Sequence, residues 1–215
     1  MSIALDQGIL KCVSTDTVRA VMRSYVPEGI SPALHRSSYQ PAGETDDAVK
    51  SWLETCKVLE SSVEGLVIDA INRGVGLVLE GVSIAPSRRW IDIWEKAGGV
   101  AIGCLLTVPD EHVHKSLLLK RGFITGKGSN EEKKLKSFDR VRSIQSEMIR
   151  LAEDSKWLLI EQKVEPDPLD IVADRLKRKK RKMIANESMQ IGTEDDAITS
   201  LTINTKNHKN KFMSN

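Results

Sequence analysis

Aromatic side chains are scarce in this chain, at 4% of 215 residues. Stacking on bases is therefore not its main mode of recognition. No apolar run approaches the roughly 20 residues needed to cross a bilayer. The opening residues Met1 to Asp6 lack both a basic stretch and a long apolar one, so they do not read as a secretory signal. Cysteine is limited to Cys12, Cys56 and Cys104, an odd count without C-x-x-C spacing. That excludes a disulfide framework and a cysteine metal knuckle. Cys12 and Cys104 fall in apolar, strand-like runs and read as buried free thiols in a reducing compartment. The four histidines show no ligand spacing, and His112 and His114, two apart, diverge on a helix. Together these absences predict a cytoplasmic chain with no membrane partner.

What is present bounds the organisation. With 40% hydrophobic and 29% charged residues, the chain suits one domain of roughly 150–180 residues plus a tail. The net charge of +2 hides an asymmetry: Lys177 to Lys182 is a run of six cations, so the remainder carries 2 − 6 = −4. The expected division is a domain over residues 1–176 and a basic, then polar, disordered tail over 177–215. The basic run reads as a nuclear signal, a nucleic-acid contact or a solubilising linker. No internal repeat is visible.

Periodicity places the elements. Gly8 closes a helix turn, and Ile9–Val13 is a short apolar strand. Val18, Val21 and Met22 then mark a helix from Thr15 to about Tyr25, broken by Pro27, Gly29 and Pro32. Thr45 is the expected N-cap of a long helix, whose stripe is Val49, Trp52, Leu53, Cys56, Leu59, Val63, Leu66, Val67, Ala70 and Ile71. Gly76–Gly81 and Val100–Val108 read as buried parallel strands, the second of them central. Helices follow around 87–97 and 110–121, a Gly/Lys/Glu-rich segment covers 122–136, and a helix starts at Phe138. Trp157–Ile160 is the last strand and Asp167–Leu176 the last helix. This alternation predicts an α/β domain, a three-layer arrangement with a parallel sheet between helices. Polar groups leaving such strands gather at the carboxyl edge, where open parallel sheets bind ligands.

Several blocks resemble the 2-phosphoglycerate kinase family of P-loop kinases and the related low-phytic-acid proteins. They are Ser14-Thr15-Asp16-Thr17-Val18-Arg19, Val21-Met22-Arg23, Ser37-Ser38-Tyr39, Val78-Leu79-Glu80-Gly81-Val82 and Phe138 to Gln145. In the family's order they cover residues 1–176. The resemblance implies a P-loop kinase-like fold that uses ATP and Mg²⁺, with a small phosphorylated acceptor such as 2-phosphoglycerate or a polyol or inositol phosphate. It also implies two departures. The family's Walker A loop is expected upstream of Met1, and Ser83 stands where the family usually has His. The sheet is thus expected to lack its first, central strand, between Gly76–Gly81 and Val100–Val108.

Phosphoryl transfer needs a phosphate cradle, Mg²⁺, a group that orients the acceptor hydroxyl, and cations on the transferring group. Gly122 to Gly128 is no cradle: three residues separate Gly122 from Gly126 where four are required, and Gly128 follows Lys127 where Ser or Thr is needed. Asp16 is placed to orient or deprotonate the acceptor; alternatively it or Ser14 caps the following helix. Arg19 and Arg23, four apart, share a helix face and suit a phosphate or carboxylate, or simply face solvent. Ser14, Ser37, Ser38 and Tyr39 are candidates to line the same pocket. Glu80 ends an apolar strand, where the resemblance implies an acid that holds Mg²⁺ through water. Arg121, Arg140 and Arg142 are candidates to close over phosphates as a lid. Two function classes remain open beside a truncated kinase doubtfully active alone. One is a non-catalytic ligand-binding or regulatory module derived from the same fold; the other is a nucleic-acid-associated protein acting through its basic run, which would also admit a nuclear location.

Overall fold

The computed structural model describes Ala4 and residues 7–36, 46–124, 137–161 and 166–185, the side chains of 121–124 excepted. The chain divides into two units, Met1–Ala173 and Asp174–Asn215.

In the first unit, strand β1 (Lys11–Ser14) runs into helix α1 (Thr15–Tyr25), and a short α2 (Pro32–His35) follows. Helix α3 (Ala48–Asn72) leads to β2 (Leu77–Glu80), α4 (Arg89–Lys96) and β3 (Cys104–Thr107). Helices α5 (Glu111–Ile124) and α6 (Phe138–Asp154) precede β4 (Leu158–Glu161). A last helix, α7, covers residues 168–185. The fold is mixed α/β with parallel strands, and no described helix is long and apolar enough to cross a membrane.

The strands form two separate pairs. β1 pairs with β2 in parallel, with Ser14 opposite Glu80. β3 pairs with β4 in parallel, with Thr107 opposite Glu161. Among the described residues β2 and β3 do not pair, and the strands form two two-stranded sheets. The run from Val100 to Val108 contributes only Cys104–Thr107 to a strand, and that strand has one partner. It is therefore an edge, and Leu106 is 65% exposed.

Helix α3 ties the pairs to common cores. Its stripe buries Trp52, Cys56, Leu59, Val63, Val67 and Ala70 at the spacing read from the sequence. Leu59 and Val63 form a cluster with Leu34, against which Leu79 of β2 packs. Trp52 and Cys56 join Ile144 and Met148 of α6 in a second cluster, against which Leu105 of β3 packs. The cap of α3 is Asp47, whose carboxylate accepts from the N–H groups of Val49 and Lys50; the expected Thr45 lies outside the described residues. Gly74, in the left-handed region at φ 62°, closes the helix with its N–H on Ile71 O.

Two sequence expectations are corrected here. Cys12 is exposed, because β1 has one sheet neighbour and alternate residues of so thin a sheet face outward. Cys56 and Cys104 fit the buried-thiol reading better: burial pushes the first thiol up to about 12 and the second to about 11. The second correction concerns the basic run, which is helical. The last helix continues from 168 through Lys177–Lys182 to 185. Lys and Arg are good helix formers, and missing apolar periodicity removes a packing face without removing helix propensity. Residues 186–215 lie outside the described ones.

Candidate functional site

The carboxyl ends of β1 and β2 meet at one edge. Ser14 closes β1 and caps α1, its hydroxyl accepting the Asp16 N–H at 3.2 Å. Asp16, in the first turn, is exposed. The parallel register sets Ser14 beside Glu80, which is also exposed. Neighbouring strands lie about 4.8 Å apart. Two carboxylates and a hydroxyl thus share one sheet edge.

Beneath them lies a feature the sequence did not announce. Thr15 and Arg19, four apart on α1, point inward and are 0% and 5% exposed. The Arg19 Nε–H donates to Leu34 O at 2.7 Å, which ties α1 to α2. Its Nη2 has no hydrogen-bond partner, and neither has Thr15 Oγ1. Burial, then the nearby Arg23, lower the Arg19 pKa, and Asp16 raises it. An arginine nevertheless keeps its charge in proteins. Gly81 holds φ at 134° and lies so close that an added Cβ would land on Thr15 Oγ1. Ser83, two residues on, is 2% exposed with Oγ also unpartnered. Orphaned buried donors of this kind are rare in folded proteins and call for an explanation. The sequence signal for Thr15 is its place inside the Ser-Thr-Asp-Thr string, between Ser14 and Asp16.

The other candidates separate. Arg23 is exposed on α1. Ser37, Ser38 and Tyr39 lie outside the described residues, and so does the side chain of Arg121. Arg140 is engaged internally: it pairs with Asp46, the two side chains being 10% and 3% exposed, and Asp46 also accepts from Ser51 Oγ. Arg142 sits at the carboxyl end of β3. Its Nη1 donates to Val108 O at 2.8 Å and its Nη2 to Pro109 O at 3.1 Å. Gln145 braces the same corner, donating to Val108 O at 3.1 Å. His114 lies 3.5 Å from Arg142 Nη1, and burial, then the Arg142 charge, lower its pKa.

Among the described residues no group of three His, Cys, Asp or Glu side chains could enclose a metal ion. Mg²⁺ rarely needs such a cage. It keeps several waters and uses one or two carboxylates with substrate phosphates. Glu80, an exposed carboxylate at a strand end, fits that requirement. For a nucleotide the described residues do not fit: none forms a glycine-rich strand-to-helix loop that would turn backbone N–H groups toward a polyphosphate. The α1 N-terminus already carries Ser14 as its cap, accepting the Asp16 N–H, so its backbone amides do not form a polyphosphate loop.

This is an α/β domain with polar and charged groups at the carboxyl edge of a parallel strand pair, the class in which ligands bind outside the strand ends. Comparison with known proteins makes the class particular. Over 155 residues the chain is 30% identical to the 2-phosphoglycerate kinase of Methanopyrus kandleri, a span of 68% of this chain and 46% of that protein. It is 31% identical over 122 residues to the 2-phosphoglycerate kinase of Methanothermobacter thermautotrophicus, covering 53% and 39%. It is 26% identical over 184 residues to that of Methanocaldococcus jannaschii, covering 81% and 58%. The chain is thus related in sequence to the 2-phosphoglycerate kinases, and it spans about half the length of the curated relatives it matches. No protein-family profile matches the chain, and no solved structure does.

Proposed function

We propose that this chain is the acceptor-binding part of a phosphotransferase that passes a phosphoryl group to a small phosphorylated hydroxy acid, with 2-phosphoglycerate the first candidate. The observation that carries the reading is the buried, unpartnered Nη2 of Arg19, one turn from the unpartnered hydroxyl of Thr15. A fixed cation and a hydroxyl are the donors that an acceptor's phosphate or carboxylate requires. Arg23 adds a second cation toward solvent. Asp16 orients the acceptor hydroxyl and takes its proton. Glu80 holds the water shell of Mg²⁺, which supplies charge neutralisation when bound. Arg142, on α6 beside the end of β3 and 4.0 Å from Glu111, is a further cation near the strand ends. Arg140 is not carried forward, since its charge is spent on Asp46.

The same reading takes β2 and β3 as flanks of one parallel sheet, with the strand and phosphate loop that hold ATP entering between them. Two facts support it: both pairs are parallel, and α3 contributes to the core under each. A binding-only module is the alternative, and it shares the acceptor site.

Calorimetric titration of the full chain with 2-phosphoglycerate tests the acceptor site. Saturable binding is expected, with a loss of at least about tenfold, or 1.4 kcal/mol, in Thr15→Val and in Arg23→Gln. Phosphorylation of 2-phosphoglycerate by this chain with MgATP should stay at the no-enzyme background, because the described residues lack a cradle. No binding by a chain with an intact melt, or unchanged binding in both variants, would remove the acceptor site. Turnover abolished by Asp16→Ala would show that another element supplies the cradle.

A further inference from the structure

We propose that the basic helix of the second unit is a docking surface for the sugar–phosphate backbone of double-stranded DNA. In that unit α7 runs from residue 174 to 185, about 18 Å. Lys177, Arg178, Lys180, Arg181 and Lys182 are all exposed. At about 100° per residue they cover roughly 200° of the helix circumference. Leu176, Lys179 and Met183, at i, i+3 and i+7, are half-buried and share the remaining side. Of these cations Arg178 has a carboxylate within the helix, Asp174, at 2.7 Å. Like charges three and four apart oppose helix formation. Lys177 with Lys180 and Arg181, and Arg178 with Arg181 and Lys182, all stand at that spacing, and a polyanion laid along the helix relieves their repulsion.

The width of the cationic face selects among polyanions. A helix lying on a membrane needs an apolar face free to enter the acyl boundary. Here Leu176 and Met183 are already half-buried, and Ile184, 50% exposed, is a single residue. A face of about 200° suits a groove with charge on both walls, and the major groove of B-form DNA is about 12 Å wide, admits a helix and is flanked by two phosphate ridges. The helix has no aromatic residue, Asn or Gln, so contacts from its Lys and Arg side chains to the phosphates carry the binding, and affinity follows charge more than sequence.

Fluorescence anisotropy of the full chain with a labelled 20-base-pair duplex of mixed sequence, from 25 to 200 mM KCl, tests the surface. Four to five phosphate contacts give an expected slope of about −4 in a plot of log affinity against log salt. The triple variant Lys177→Gln, Lys180→Gln, Arg181→Gln should bring that slope to about −1 to −2 and weaken binding more than tenfold at the lowest salt, with far-ultraviolet circular dichroism unchanged. Absence of saturable binding at 25 mM salt overturns the proposal. So does an unchanged slope in the triple variant, or displacement of the duplex by phosphatidylserine vesicles at equal phosphate concentration.

Discussion

His114 sits where its protonated form is disfavoured, by burial first and then by the Arg142 charge. It packs edge-on to Phe138, with ring centroids 5.5 Å apart, and lies within 3.5 Å of the Arg142 guanidinium. A ring nitrogen without a proton accepts from that cation, whereas an imidazolium is repelled by it. Its pKa in the fold therefore lies below the unfolded value of about 6.5. Below about pH 6.5 the unfolded chain binds a proton that the folded chain resists, so this contribution to stability is present above that pH and is lost as the pH falls. The melting temperature should drop between pH 7.5 and pH 5, and drop less in His114→Gln; an equal drop in both proteins would clear His114 of the effect. At this scale the sequence was legible where a residue marks a boundary. Ser14, Asp16 and Glu80 each stand at the end of a strand or the start of a helix, and polarity there is visible in one dimension. Arg140 was not legible, because its partner, Asp46, lies 94 residues away and nothing local distinguishes an arginine paired inside from one facing a ligand.

The junction of β2 with the segment after it rests on Gly81. At φ 134° any side chain is strained, and here it also collides with Thr15. Gly81→Ala should destabilise the domain by about 2 kcal/mol or more, read as a fall in the urea midpoint at unchanged slope. A midpoint within error of the parent would mean that the end of β2 and the start of α1 can move apart without cost. Elements with long apolar stripes were the easiest to read: α3 has its predicted face buried from Trp52 to Ala70. Strand lengths were harder. An apolar run shows that a segment is hidden, not that its backbone pairs, so residues 100–103 read as strand and are not. The last helix extends past Leu176 for the converse reason: a run of cations has helix propensity but no apolar period to mark it.

For the whole molecule, the two parallel pairs are an unusual economy. All-parallel sheets normally bury both faces and run to several strands. Here Leu106 and Leu159 are 65% and 37% exposed on strands whose sequences are almost wholly apolar. Exposed strand edges recruit other strands. The chain should associate in a concentration-dependent way in light scattering and unfold over a broad range of temperature. A monodisperse monomer with one sharp melt would show that the packing of α3 and α6 suffices. Which strands pair was beyond the sequence, because alternation and helical periods describe one element at a time and carry no record of its neighbour across 60 residues of chain.

The separation of β2 from β3 also has a consequence in time. In a parallel strand the N–H groups of successive residues turn alternately to one side and the other. With a partner on one side alone, half the amides of the four-residue strands β2 and β3 are held in a ladder and half point to the open edge. Deuterium exchange along these strands therefore runs at two rates, in alternation. The slow positions report the stability of each pair, while the fast ones slow down as soon as another strand pairs with the open edge, before any chemistry is measured.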